Sequence, residues 1–449
     1  MMRGIVNTDL NERERPTVNS RIMQFYKAGD IVQIVDTVLG DPFDGDDVWF
    51  KLSNGAFVWN AAIDVDVDCS KLSDEDKNQW LICYRQVDQQ GRPDMFSKMA
   101  PKSLYFTPVR LPADSASIRV NDLVPDFFAE GVFQSVVNLK NPRKHVFVYI
   151  HGYQLLSSLK LDLLGSFVQN YMSQPLNNIA KVLFMSWPAQ GGPSRKTVDD
   201  RSLKAGQEFV ANGLFETFEK LSDKLKSRNK TLNLIVHSFG HQLLNGMLNP
   251  AAGEPDLLPN KKVFDNIFLM APDITHLTVK TGGETIKNYF QDNDGIDFHY
   301  DFTKLKQIAN NVHVFHDKYD YLLYSSTKKF VGMGNLNNVA TPEARFTLTK
   351  NYRNLGNFGD KIPEPIDRVQ GINFFHVDDI AGDDEPTNDF PFRRIRRSAR
   401  KKVDDVWTNA DYGGINTGSI VFNLKRFPTH HRYLFTSKTI VDRVLSLLS

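Results

Sequence analysis

Residues 231–248, TLNLIVHSFGHQLLNGML, decide how this chain is read. Leu232, Leu234, Ile235 and Val236 form a short apolar run, the pattern of a strand buried on both faces of a parallel sheet. Leu243, Leu244, Met247 and Leu248 then recur at helical spacing. Only His237, Ser238 and Phe239 separate the two patterns, so the turn from strand to helix is very sharp. A serine at the apex of such a turn is a nucleophile elbow. Backbone strain lifts its hydroxyl above the sheet, and its neighbours must be small because strand and helix nearly touch. Of the pattern Gly-x-Ser-x-Gly, Gly240 is present and Val236 replaces the first glycine. Taken alone, the same letters also fit a serine that caps a helix.

The flanking sequence favours the elbow. Upstream, HVFVYI (residues 145–150) reads as a buried strand ending in His151-Gly152-Tyr153, followed by an amphipathic helix over residues 159–172. KVLFMS (181–186) is a second buried strand, and residues 198–225 read as one long helix with Val210, Leu214, Phe218, Leu221 and Leu225 on one face. Downstream come strands at 264–270, ending in Ala271-Pro272-Asp273, and at 312–315, followed by Asp320. GINFFHV (371–377) reads as a last strand and residues 438–448 as a closing amphipathic helix. Strands alternating with helices predict an α/β fold with a mostly parallel sheet flanked by helices. Ligand sites on such sheets lie at the carboxyl ends of the strands, where these polar residues fall.

A serine hydroxyl needs a histidine to take its proton, and the histidine needs a carboxylate to fix its tautomer. In this kind of fold the three arrive in the order serine, acid, histidine. Ser238, Asp320 and His431 meet that order; Asp273 is the fallback acid, with a cap of the next turn as its structural reading. The adjacent His430 fits the spacing equally well. The oxyanion of a tetrahedral intermediate needs two N–H donors, for which the backbone amides of Phe239 and Tyr153 are the candidates. This chemistry requires no metal and no organic cofactor. His237 and His241 stand four apart but lack the converging ligands of a zinc site, and His313 and His316 read as ordinary core or surface residues.

Several motifs recur in one order: VYIHGY at 148–153, SWPAQG at 186–191, VHSFGH at 236–241, APD at 271–273, FHDKYD at 315–320 and HRY at 431–433. In these the segment 145–336 resembles the α/β-hydrolase superfamily, and within it a bacterial group of hydrolases. The resemblance implies that Ser238 is the nucleophile and Asp320 the orienting acid, and its His-x-Tyr motif favours His431 over His430 as the base. Val236 and His241 depart from the small residue and the asparagine of that group. Residues 381–429 precede the histidine as an expected lid or insertion.

Before Asp66 the pattern is different. Short strands are broken by turns, with Asn54-Gly55 between VWFKL and AFVW as a strong hairpin signal. LNERERP (10–16), KAGDIVQIV (27–35) and VWFKLSNGAFVW (48–59) resemble bacterial SH3-like barrels, a likeness that implies a peptide or cell-wall ligand. The plainer expectation is that Trp49, Phe50, Phe57 and Trp59 fill a small core. The expected organisation is therefore an SH3-like β-barrel over 1–66, a polar linker over 67–102, and an α/β-hydrolase domain over 103–449. Within the last, SLYFTPVRL, SIRVND and VFQSVV read as antiparallel strands leading in.

Composition excludes other classes. With 54 Lys and Arg against 53 Asp and Glu, bulk charge argues against nucleic acid, and the basic run at 393–402 follows an acidic stretch and reads as a solvated flap. No run of apolar residues is long enough to span a bilayer, and the N-terminus lacks a signal-peptide core, so a cytoplasmic location is expected. Cys69 and Cys83 are expected as unpaired thiols. The expected function is a serine hydrolase for a small-molecule or lipid-like ester. The rival class is a non-catalytic scaffold that keeps the fold and recruits a partner through its barrel.

Overall fold

The two kinds of sequence pattern fold as two separate sheets. The computed structural model describes residues 2–6, 9–43, 46–59, 62–66, 72–94, 103–113, 115–152, 159, 161–174, 177–188, 195–249, 257–286, 298–316, 355, 369–377 and 438–448.

The first sheet contains β1 (Met2–Val6), β2 (Leu10–Arg13), β3 (Ile22–Tyr26), β4 (Ile31–Phe43), β5 (Asp46–Leu52), β6 (Phe57–Trp59) and β7 (Ile63–Asp66). They pair antiparallel in the order β3-β2-β6-β5-β4-β1-β7. The Asn54-Gly55 turn joins β5 to β6, with the Gly55 N–H donating to the Leu52 carbonyl at 2.9 Å. Trp49, Phe50 and Trp59 are buried with Ile34 and Val58, and Phe57 is half-buried, so three of the four aromatic rings are core. An all-β sheet of this form is compatible with an SH3-like barrel.

The second sheet contains β8 (Asn78–Cys83), β9 (Tyr105–Arg110), β10 (Asn121–Asp122), β11 (His145–Ile150), β12 (Ile179–Ser186), β13 (Thr231–His237) and β14 (Phe264–Met270). A small separate ladder, β15 (Glu284–Ile286) and β16 (Phe298–Tyr300), intervenes before the last two strands, β17 (Ala309–His316) and β18 (Ile372–His376). The order is β10-β9-β8-β12-β11-β13-β14-β17-β18, parallel from β8 to β18. From β11 the chain moves to β12 on one side and then crosses to β13 on the other. The crevice between the carboxyl ends of β11 and β13 is therefore a topological switch point, where such sheets bind ligands.

Helices cover both faces. α1 (Asp74–Lys77), α2 (Pro125–Val137), α3 (Leu161–Met172), α4 (Arg195–Ala211), α5 (Leu214–Lys226), α6 (Gly240–Leu248), α7 (Leu305–Ile308) and α8 (Lys438–Ser446) are the described helices. On one face Val146, Val148, Leu234 and Val236 pack with Val132 of α2, Phe218 of α5 and Leu244 of α6. On the other, Phe147, Tyr149 and Ile235 pack with Phe167 of α3 and Val444 of α8. Burying each such side chain contributes about 1.5–3 kcal/mol.

Three sequence expectations are corrected. Residues 67–102 are not simply a linker: β8 lies within them and pairs with β12 and β9. VFQSVV is the end of α2, not a strand. The helix expected over 198–225 is two helices, because Gly213 takes a left-handed φ of 80° and breaks the run between α4 and α5.

Candidate functional site

Strand β13 ends at His237 and helix α6 begins at Gly240, which leaves Ser238 and Phe239 for the whole turn. Ser238 has φ +50°, a left-handed conformation that costs a non-glycine residue energy and persists only when its surroundings hold it. Its N–H donates to the Met270 carbonyl at 2.9 Å. Its carbonyl accepts the N–H groups of His241 and Asp273, each at 3.2 Å, and lies 2.6 Å from Nδ1 of His241. Gly240 cannot carry a side chain without moving the backbone, since its β-carbon would stand 2.7 Å from the His151 carbonyl oxygen. Val236 does not crowd the turn: it is fully buried and in regular register with Ile150 and Leu269.

The end of β11 closes on this turn. A β-carbon on Gly152 would lie 2.9 Å from the Ser238 Cβ and 3.4 Å from the Phe239 amide nitrogen. Beside it, Trp187 stacks between His151, at 5.8 Å and 19°, and Phe239, at 6.2 Å and 15°. The Trp187 indole N–H donates to the His151 carbonyl at 3.1 Å. His151 lies with Nδ1 2.7 Å from the Gly152 carbonyl oxygen, so that nitrogen donates and Nε2 accepts the Trp187 backbone N–H at 3.4 Å. The arrangement fixes the backbone on both sides of the serine and presents the start of α6, with its partial positive charge, to whatever reacts there.

Residues 129–355, just over half of the chain, match the family described as Alpha/beta hydrolase of unknown function (DUF900). The chain belongs to this family. No curated protein matches it. The match in this DUF900 alpha/beta hydrolase runs from within α2 to Leu355, so it includes the elbow, Gly152, Asp273 and Asp320, whereas His431 and the seven-stranded sheet lie outside it.

Not all of the expected site of this alpha/beta hydrolase falls among the described residues. Ser238, Phe239 and Asp273 do; Tyr153, Asp320 and His431 lie outside them, as do Cys69, His430 and the expected lid at 381–429. In the chain, Asp320 follows the end of β17 by four residues, and His431 falls between β18 and α8. Asp273 is buried just beyond β14, with its N–H on the Ser238 carbonyl and its own carbonyl accepting the Gln242 side chain at 3.0 Å. The cap of the next turn, His276–Val279, is Thr275, whose hydroxyl accepts the Leu277 N–H at 3.3 Å.

Sequence reasoning missed a second feature of the carboxyl edge. His316 and His376 end adjacent strands in paired register, both are buried, and their rings stand 5.0 Å apart at 75°. They stand two and three strands along the sheet from β13. The signal was the two -FH sequences, Phe315-His316 and Phe375-His376, at the ends of neighbouring strands. Among the described residues, no group of three or more His, Cys, Asp or Glu side chains could hold a metal ion. None of the described helices is long and apolar enough to cross a membrane.

Proposed function

We propose that this alpha/beta hydrolase is a serine hydrolase that cleaves a small-molecule or lipid-like ester, or a related acyl bond. The observation that carries the reading is Ser238 itself, a non-glycine residue held at φ +50° between β13 and α6, with Gly152 against it. That conformation is costly for a serine, and it is the one a nucleophile that must stand above a sheet adopts.

In the proposed reaction the Ser238 hydroxyl attacks the carbonyl carbon while His431 takes its proton, and Asp320 holds the imidazole in the required tautomer. The backbone N–H groups of Phe239 and Tyr153 donate to the tetrahedral oxyanion. Collapse expels the alcohol, to which His431 returns the proton, and leaves an acyl group on Ser238. Water, deprotonated by His431, then attacks the acyl carbon; the bond to Ser238 Oγ breaks, His431 returns the proton to that oxygen, and the acid is released. Neither metal nor organic cofactor takes part.

Hydrolysis of p-nitrophenyl acetate and butyrate by variants tests the assignment. Ser238→Ala and His431→Ala are each expected to lower kcat by about 10³-fold or more, and Asp320→Asn by roughly 10²- to 10⁴-fold. Loss in Asp273→Asn with full activity in Asp320→Asn would move the acid to the end of β14. Undiminished turnover by Ser238→Ala would end the reading.

A further inference from the structure

His241 is the second residue of α6 and is completely buried. Burying an imidazole costs free energy that an aliphatic side chain in the same place would not, so the ring needs a specific partner. That partner is the nucleophile turn. Nδ1 lies 2.6 Å from the Ser238 carbonyl oxygen, nearer than either backbone N–H that reaches the same atom. A carbonyl oxygen only accepts, so Nδ1 carries the hydrogen. Nε2 is buried and has no hydrogen-bond partner among the described residues, with the Phe302 ring 6.3 Å from the imidazole. The other tautomer would leave an N–H there with nothing to bond and would turn a lone pair on the carbonyl. Burial also pushes the imidazole down to about 4, so the ring is neutral at pH 7.

We propose that His241 is a positioning residue for Ser238: its Nδ1–H clamps the Ser238 carbonyl, holds the left-handed turn, and thereby fixes the direction of the hydroxyl. The role rests on the serine-hydrolase reading given above. A strained φ survives only where several contacts over-determine it, and here the Met270 carbonyl and the Asp273 and His241 N–H groups supply the backbone share. The imidazole supplies the shortest contact, and among these it is the one a substitution can delete without altering the backbone. Asparagine can replace it chemically, because its Nδ2 occupies the same branch position as Nδ1 and also donates. Leucine has a similar size and no donor.

The test measures, for wild type, His241→Asn and His241→Leu, the rate of covalent labelling by a fluorophosphonate, kcat and KM for p-nitrophenyl acetate, and the melting temperature. His241→Asn is expected within about three-fold of wild type, and His241→Leu to lose about 10- to 100-fold in labelling rate and kcat with KM nearly unchanged. A labelled wild type with His241→Leu reacting at the same rate overturns the role alone. So does an asparagine variant as slow as the leucine one. Wild type that takes no label overturns the hydrolase reading, and the positioning role with it. Should His241→Leu fail to fold, ¹⁵N-histidine NMR of the wild type decides: the Nδ1–H tautomer is expected for the signal lost in His241→Asn, and an Nε2–H tautomer contradicts the clamp.

Discussion

A β-carbon placed on Gly152 would stand 2.9 Å from the Cβ of Ser238, so the end of β11 and the Ser238 turn are packed to the limit of contact. The same β-carbon would lie 3.1 Å from the His237 carbonyl oxygen. Neither neighbour is a flexible side-chain end. Gly152→Ala is therefore expected to shift the turn by a few tenths of an ångström and to slow ester hydrolysis about 10- to 100-fold. The stability cost should stay within about 1–3 kcal/mol. Steady-state kinetics beside a chemical denaturation curve separate the two effects; full activity in a folded variant would show that the contact has slack.

Helix α6 is held by a backbone-to-backbone crossing with α4. A β-carbon on Gly246 would come within 2.0 Å of the Leu203 carbonyl oxygen, and one on Gly206 within 2.1 Å of the Leu243 carbonyl oxygen. Gly246→Ala must part the helices, with an expected loss of about 3 kcal/mol or more in urea unfolding. Gly213→Ala strains only a left-handed loop residue at the end of α4 and should cost about 1 kcal/mol. A smaller loss for Gly246→Ala than for Gly213→Ala would contradict the tight crossing.

Acid should destabilise the protein already between about pH 6.5 and 4. Burial pushes His145, His241 and His313 each down to about 4, with the charges of Lys144 acting on His145 and of Arg443 and Lys306 on His313. In the unfolded chain the same groups bind protons near 6.5. Between about pH 6.5 and 4 the unfolded state thus holds more protons, so stability rises with pH in that window and is lost as pH falls through it. His241, fully buried, accounts for roughly 3 kcal/mol of the change. Denaturation midpoints measured at pH 7, 5.5 and 4.5 should fall in that order, and His241→Asn should flatten the slope. A midpoint constant over this range would contradict the buried neutral state of all three rings.

Cys83 offers a check on β8, the strand that its polar start hid in the sequence. It is fully buried at the end of β8, and burial pushes its thiol up to about 12. The native protein at pH 8 should leave Cys83 unmodified by iodoacetamide over hours, whereas protein unfolded in urea should be alkylated there, as read by peptide mass spectrometry. Prompt native-state alkylation of Cys83 would mean that β8 opens readily.

How much of this was legible depended on whether the signal was local. β11, β12, β13 and β14 are dominated by apolar residues, and their ends fall within about two residues of where the sequence put them. β8 was hidden because it begins Asn78-Gln79, yet Gln79 is buried and its side chain accepts the Val182 N–H at 2.7 Å, which fits a polar residue into the interior. The apolar periodicity of 198–225 runs on through Gly213, so the break between α4 and α5 could not be seen in the pattern alone. A row of polar side chains across the sheet was equally invisible: Asn266 donates to Asn233 at 2.9 Å, and Asn311 donates to Asn266 at 3.2 Å. Each of these asparagines looks like an interruption until the strands are aligned. The site divides in the same way. Ser238 and Gly240 form a local motif and Gly152 belongs to another at the end of β11, but the contacts of Asp273 and His241 with the Ser238 carbonyl depend on how β13, α6 and the end of β14 meet.

The central claim is that Ser238 is an activated nucleophile. The most direct measurement is mass spectrometry of the full-length protein after exposure to a fluorophosphonate, followed by peptide mapping. One phosphonyl adduct on the peptide that contains Ser238, absent from Ser238→Ala, is the predicted result. A folded protein that carries no adduct, or carries it on another residue with Ser238 unmodified, would contradict the account.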